Sequence, residues 1–378
     1  MADRKTLKLN TQINLARPTA VRMWLVFSCA FIAVVQSAIG DAGASMAVAM
    51  AALVSAVLTE LLMTSTVHGL GKIQDGSAAA SAMILALLLP NYIHPVYAAL
   101  GAAFAMVVIK HSFGGLGSNW MNPALGGWLF IRFSWPQAFA SALDGAADRL
   151  PQTASAADQV IRDFFNRFIF MIFGAELPAG YIDLFSLQSP GIIADRAVLA
   201  LVVAVAVIAA FEISRSWLSV LYLAVFGFLI RMAGDPGAWW NGDVILAFLS
   251  GGTLVAAFIL IVDPSSGAKS VPGNIIVVIL AAVLSMTFRV YASAFYGCFF
   301  AVALVNALTP FLCKLESRLL YSSNLSVSAV SHENAASGGV ITPKESVVPH
   351  ETVVPKESVI LRENIAPKGN TAPRGGIR

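Results

Sequence analysis

The chain has 378 residues, of which 57% are hydrophobic and only 12% charged, with a formal net charge of +3. This composition excludes an ordinary soluble domain. The charge is too small, and too little interleaved with aromatic residues, for a nucleic-acid-binding surface.

Apolar runs follow one another at residues 23–39, 43–63, 78–90, 95–109, 123–133, 197–213, 217–234, 244–262, 275–288 and 293–313. A bilayer needs about 20 apolar residues per helix, so the pattern predicts an all-α integral membrane protein with about ten transmembrane helices. The shorter runs predict broken or tilted helices. Arg4, Lys5, Lys8, Arg17 and Arg22 precede the first run, which puts the N-terminus in the cytoplasm. Ten crossings then bring Lys72, Lys110, Arg215, Lys269, Lys314 and Arg318 to the same side, and both termini are expected there. Residues 1–22 lack the pattern of a cleaved signal peptide.

The expected organisation is a cytoplasmic segment at 1–20, a first membrane half at 21–134, an external loop at 135–195 and a second membrane half at 196–315. From residue 316 a tail follows, which from residue 343 repeats every six residues (PKESVV, PHETVV, PKESVI), rich in proline and without an apolar face, so disorder is expected over 316–378. The halves resemble one another. "DGSAAASAMILALLLP" (75–90) and "LSGGTLVAAFILIVDP" (249–264) are each followed by a span and then by a glycine- or proline-marked stretch. Five spans per half, an odd number, predict an inverted repeat with discontinuous helices meeting near the midplane.

Between the fourth and fifth runs lies "HSFGGLGSNWMNPALGGWLF" (111–130), with Gly114, Gly115, Gly117, Asn119, Asn122 and Pro123 in a region of lipid-like hydropathy. Irregular backbone at that depth is tolerated where protein buries it or where it lines a wet cavity. Glycines admit a ligand close to backbone amides, and asparagine amides both donate and accept. A bound polar ligand is therefore expected here, against the alternative of helix packing through small residues. Glu60, Asp75, Lys110, His111, Asp195, Glu212 and Asp263 flank the spans, and membrane carboxylates are functional candidates. Asp75 and Asp263 are candidates for an ion pathway, with helix capping or turn formation as the competing role for each. Cys29, Cys298 and Cys313 have no C-x-x-C spacing, so neither a disulfide framework nor an iron–sulfur cluster is expected, and no metal site is read from the sequence.

Taken in order and spacing, "DGSAAASAMILALLLP", "FGGLGSNWMNPALGG", "PGIIADRA", "LSGG" with "VDPSSGAKSVPG", and "YGCFFAVALVNALTPFL" resemble the D-subunit family of the Rnf electron-transport complex over residues 20–315. They are similar also to the B subunit of the sodium-translocating NADH:quinone reductase. The resemblance implies a bacterial inner-membrane subunit of a redox-driven Na+ or H+ pump, working with the other subunits of the complex and with ferredoxin-type and NAD carriers. FMN or riboflavin is the cofactor it implies, and Gly114, Gly115, Gly117, Asn119, Asn122 and Pro123 match the family's membrane-embedded element.

One stretch departs from the family. Its members carry FMN esterified to a threonine in a sequence similar to Asp-Ala-x-Ser-Gly-Ala-Thr in the external loop, whereas this chain reads "SALDGAAD", with Ala147 at the acceptor position and Asp144 where the serine belongs. Alanine has no hydroxyl to esterify, and Thr153 lacks the surrounding motif, so covalent FMN is not expected and any flavin would be held non-covalently. A transporter or channel with an inverted repeat and no redox role is the rival reading. A scaffold that holds the complex together without a cofactor is a third.

Overall fold

The computed structural model describes residues 19–67, 75–112, 119, 121–139, 159–160, 163, 167, 191–233, 243–263 and 270–314. Gly114, Gly115, Gly117, Asp144, Ala147, Thr153 and the tail at 316–378 lie outside the described residues.

The described residues are helical throughout, without a β-strand. In the first half they form α1 (Thr19–Gly40), α2 (Ala44–Val67), α3 (Ser77–Leu88), α4 (Pro95–Phe104), which continues as π-helix over Ala105–His111, and α5 (Pro123–Ser134). The second half opens with one turn, α6 (Ile193–Arg196), followed by α7 (Val198–Phe211), α8 (Ile213–Ala233) and α9 (Val244–Leu249). It closes with α10 (Thr253–Val255) and its π-helical extension Ala256–Leu260, α11 (Val271–Tyr291) and α12 (Gly297–Lys314). The apolar runs of the sequence fall largely on helix. Five helices, namely α1, α2, α8, α11 and α12, are long and apolar enough to cross a membrane alone. The chain is thus a multi-pass helical membrane protein that also contains shorter apolar helices.

The short helices have local causes. Pro123 removes an amide at the first turn of α5, and the Asn122 side chain accepts from the Ala124 amide at 3.0 Å, so the Asn-Pro pair is an N-cap. Within the run 244–262, Gly251 and Gly252 adopt φ of +64° and +62°, a left-handed conformation that ends α9 and starts α10. Gly76, at φ +71°, starts α3 in the same way. An apolar run unbroken in hydropathy is therefore broken in backbone.

The core is built on close helix approach. α1 packs on α3 and α7, α2 on α3 and α4, and α8 on α11. A Cβ added at Gly127 of α5 would lie 2.6 Å from the Gly101 carbonyl of α4, so the two backbones touch where neither residue has a side chain. Leucine, isoleucine and valine exposed along α1, α2, α7 and α11 form a surface suited to lipid rather than water.

Candidate functional site

Several of the charged residues named from the sequence find their partners through tertiary structure. Asp263, just beyond the π-helical end of the second half's broken helix, accepts a hydrogen bond from the Asn122 amide at 2.8 Å, with both side chains buried. One asparagine thus caps α5 through Oδ1 and ties the halves of the chain together through Nδ2.

A small cavity of about 40 Å3 lies beside this link, lined by Arg22 and Val26 of α1, Ser77, Ser81 and Ile84 of α3, Lys110, Asn119, Asn122, Pro123, Ile259 and Asp263. It has apolar walls and convergent polar groups, with room for a few water molecules. Asn119 is 3% exposed, and its Oδ1 has no hydrogen-bond partner among the described residues. A buried acceptor left unpaired costs about 1–3 kcal/mol, so the cavity is expected to hold a donor to it, a water or a ligand group.

Behind the cavity lies a buried ionic cluster. Lys110 Nζ donates to Glu60 Oε1 and to Ser77 Oγ, both at 2.7 Å, while His111 Nε2 lies 2.8 Å from Glu60 Oε2. Lys110 and Glu60 are 2% and 3% exposed. The π-helical turn carries Lys110 and His111 at the C-terminal end of α4, where cations oppose the partial negative charge of the helix, and presents both to one carboxylate. Asp75 accepts from the Ser77 amide at 2.9 Å and from its hydroxyl at 2.7 Å. Asp75 thus closes a turn ahead of α3, whose N-cap is Gly76.

Two cations used in the topology count are paired within the chain. Arg22, counted before the first span, lies inside α1, where Nε is 2.6 Å from Glu212 Oε1 and Nη2 donates to the Val262 carbonyl at 3.2 Å. Lys110, counted on the cytoplasmic side, is buried. In both cases a carboxylate from elsewhere in the chain supplies the compensation that a topology count cannot see. Asp195 is also buried, and its Oδ1 accepts from the Gly252 amide at 3.0 Å, at the break between α9 and α10. Arg289 does not stand out in the sequence because it lies past the apolar run of α11. It is buried there, with Nη2 donating to Ser250 Oγ at 2.7 Å. The signal that marks it is an arginine within one turn of a span's end, beside a small-residue turn. Among the described residues no His, Cys, Asp or Glu group has the make-up of a metal site, and the three cysteines carry free thiols.

The fold and the site define a polytopic helical membrane protein with a polar, charge-lined cavity where broken helices meet. Residues 6–321 match the NQR2, RnfD, RnfE family, and the chain belongs to it. It is 26% identical to the D subunit of the "Proton-translocating ferredoxin:NAD(+) oxidoreductase complex" of Clostridium ljungdahlii, over 72% of this chain and 82% of that one. It is likewise 26% identical to the D subunit of the "Na(+)-translocating ferredoxin:NAD(+) oxidoreductase complex" of Acetobacterium woodii, over 71% and 80% of the two chains. With the D subunit of the "Ion-translocating oxidoreductase complex" of Shewanella denitrificans it shares 28% identity over 64% and 75%.

Proposed function

We propose that this chain is the membrane-embedded D subunit of an Rnf-type complex in a bacterial inner membrane, coupling electron transfer between ferredoxin-type and NAD carriers to Na+ or H+ movement. Membership of the family and the names of its relatives support the class of function. The observation that carries the reading to a site is the cavity wall, where the unpaired Asn119 Oδ1 and the Asn122–Asp263 link meet two cationic side chains, Arg22 and Lys110.

The lining offers groups that a flavin uses, but the space between them, about 40 Å3, is smaller than the ring, so a flavin enters only if the walls part. Asn119 would then accept from a ring amide, and Ile84, Ile259 and Val26 would cover the ring faces. A flavin bound there supplies one- and two-electron chemistry, while the chain fixes its position and potential. The flavin is held without a covalent bond, since Ala147 occupies the acceptor position in the loop.

The inverted repeat is supported by contacts that recur between the halves. The Trp24 ring lies against Gly76, which starts α3, and Asp195 binds the amide of Gly252, which starts α10. Two residues before Trp24, Arg22 donates to the carbonyl of Val262, near the end of the second broken helix. Two residues before Asp195, the Ile193 amide donates at 2.9 Å to the carbonyl of Leu89, at the end of α3. Lys110 reaches Ser77 at the start of α3, and Arg289 reaches Ser250 before Gly252. With the N-terminus inside, five crossings per half would place both termini in the cytoplasm and 135–195 outside.

Purified native complex tests the reading. Flavin absorbance together with co-purifying partner subunits is expected. A chain that purifies alone, without flavin, and moves ions unaided would instead be the redox-free transporter, a reading favoured by the missing acceptor threonine.

A further inference from the structure

Three carboxylates are buried among the described residues, Glu60, Asp195 and Asp263, and they differ in how their oxygens are satisfied. Glu60 engages Lys110 and His111 through its two oxygens, and Asp263 accepts from Asn122. Asp195 uses Oδ1 for the Gly252 amide, but its Oδ2 has no hydrogen-bond partner among the described residues, although the residue is only 2% exposed. That oxygen is turned toward Gly191 and the Phe295 ring: a Cβ added at Gly191 would lie 2.7 Å from Oδ2 and 3.0 Å from Phe295 Cε1. The next residue, Tyr296, is 5% exposed, and its phenol oxygen likewise lacks a partner among the described residues. Asp195 is close enough to act on that phenol electrostatically. Arg289 of α11 also faces Asp195, whereas Arg196, on the same turn, reaches away to the Gly40 carbonyl at 3.0 Å. The Arg132 guanidinium lies 5.8 Å from the Tyr296 ring and donates to the Pro136 carbonyl at 3.4 Å, where the 135–195 segment begins.

A buried oxygen without a donor is unfavourable, so Oδ2 calls for a partner that brings positive charge or a proton. Sodium binds through several oxygens at once, whereas Oδ2 faces an aromatic ring and a glycine, with one phenol nearby. A proton needs a single acceptor, and a phenol both donates and accepts, so Tyr296 can serve Asp195 in either protonation state. We infer that Asp195 is a proton-binding carboxylate and that Tyr296 is the phenol through which its proton arrives and leaves. As a proton from water on the 135–195 side binds Tyr296 Oη, the phenol's own proton passes to Asp195 Oδ2, directly or through one water. The phenol ends unchanged and the carboxylate neutral, and release reverses both transfers. A neutral acid is a weaker acceptor than a carboxylate, so the proton is felt at the Gly252 amide where α10 starts. The same broken helix runs on to the Asn122–Asp263 link. Use of this proton in transport rests on the reading given under Proposed function, whereas its binding at Asp195 rests on geometry alone.

Two measurements on the purified native complex test this. In the first, wild type is treated with dicyclohexylcarbodiimide, which adds to protonated carboxyl groups in apolar surroundings, over a series of pH values with and without NaCl. The modified residue is located by peptide mass spectrometry. An adduct at Asp195 that declines as pH rises and is indifferent to Na+ is expected. An unlabelled Asp195, or labelling that ignores pH, would overturn the inference, and labelling suppressed by Na+ at constant pH would overturn it in favour of a sodium site. In the second, the infrared band of the protonated carboxyl group is followed after transfer into D2O. The band is assigned by its loss in Asp195→Asn, which keeps an acceptor for the Gly252 amide and so is suited to fold. Tyr296→Phe removes a hydroxyl that makes no hydrogen bond among the described residues, and exchange of the band should slow at least tenfold in it. Exchange as fast as in wild type would overturn the role of Tyr296. Neither readout needs flavin or electron transfer, so an adduct at Asp195 in a chain that purifies without redox partners would overturn the proposed function and leave the proton site standing.

Discussion

Asn122 serves two structures at once. Its Oδ1 caps α5 and its Nδ2 binds Asp263, so one substitution can separate the roles. Asn122→Ala removes the cap, worth about 1 kcal/mol, and leaves a buried carboxylate short of a donor, worth about 1–3 kcal/mol. The melting temperature of the solubilised protein should fall, and coupled activity with it. Asn122→Ser keeps a good cap but is too short to reach Asp263. It should recover part of the thermal stability and none of the coupling, and full coupling in Asn122→Ser would show the link to be dispensable. Asn122 is legible as a cap through its neighbour Pro123, because an Asn-Pro pair inside an apolar region has few uses other than a helix start. Nothing local foretells its link to Asp263, far along the chain. Glu60, Lys110 and His111 are each visible as charges in or near apolar runs, but their convergence on one carboxylate depends on how α2 packs against α4, which no local pattern encodes.

The short helices obey backbone rules that sequence can carry only in part. Hydropathy draws one span over 244–262, whereas the chain adopts a break at Gly251–Gly252, because two successive left-handed residues cannot continue a helix. The glycine pair is readable as a weak point; the break itself needs Asp195, from a distant segment, to bind the freed Gly252 amide. Gly252→Ala should destabilise the protein by about 1–2 kcal/mol from the left-handed conformation alone, with further cost because a Cβ there meets the Phe299 ring. Gly273→Ala, at a position without left-handed strain, is the control, and equal melting temperatures for the two variants would show that the break imposes no strain. Gly127→Val should be worse tolerated, since its side chain would press on the Gly101 carbonyl of α4. Loss of folded protein in detergent is the expected readout.

For the chain as a whole, hydropathy is sufficient for class: the ten apolar runs fall largely on helix, and a helical multi-pass protein follows. The arrangement of the halves is less legible, since small-residue spans resemble one another whatever their relation, and the recurring contacts at Gly76 and Gly252 exist only in three dimensions. The proposed topology predicts that Asp148→Cys reacts with an impermeant maleimide from outside the cell, and Lys5→Cys only from the cytoplasmic side. Reaction at both from one side would refute it. The function proposed for this chain depends above all on a flavin held in the Asn119–Asn122–Asp263 cavity without a covalent bond. Flavin quantification in the purified native complex, paired with in-gel fluorescence of the denatured subunits, examines that directly in wild type and in Asn119→Ala. Flavin should be present in the native complex and diminished in Asn119→Ala, with no fluorescent band at the 39.9 kDa mass of this chain. A fluorescent band at that mass, or native flavin content unchanged by Asn119→Ala, would contradict non-covalent binding in this cavity.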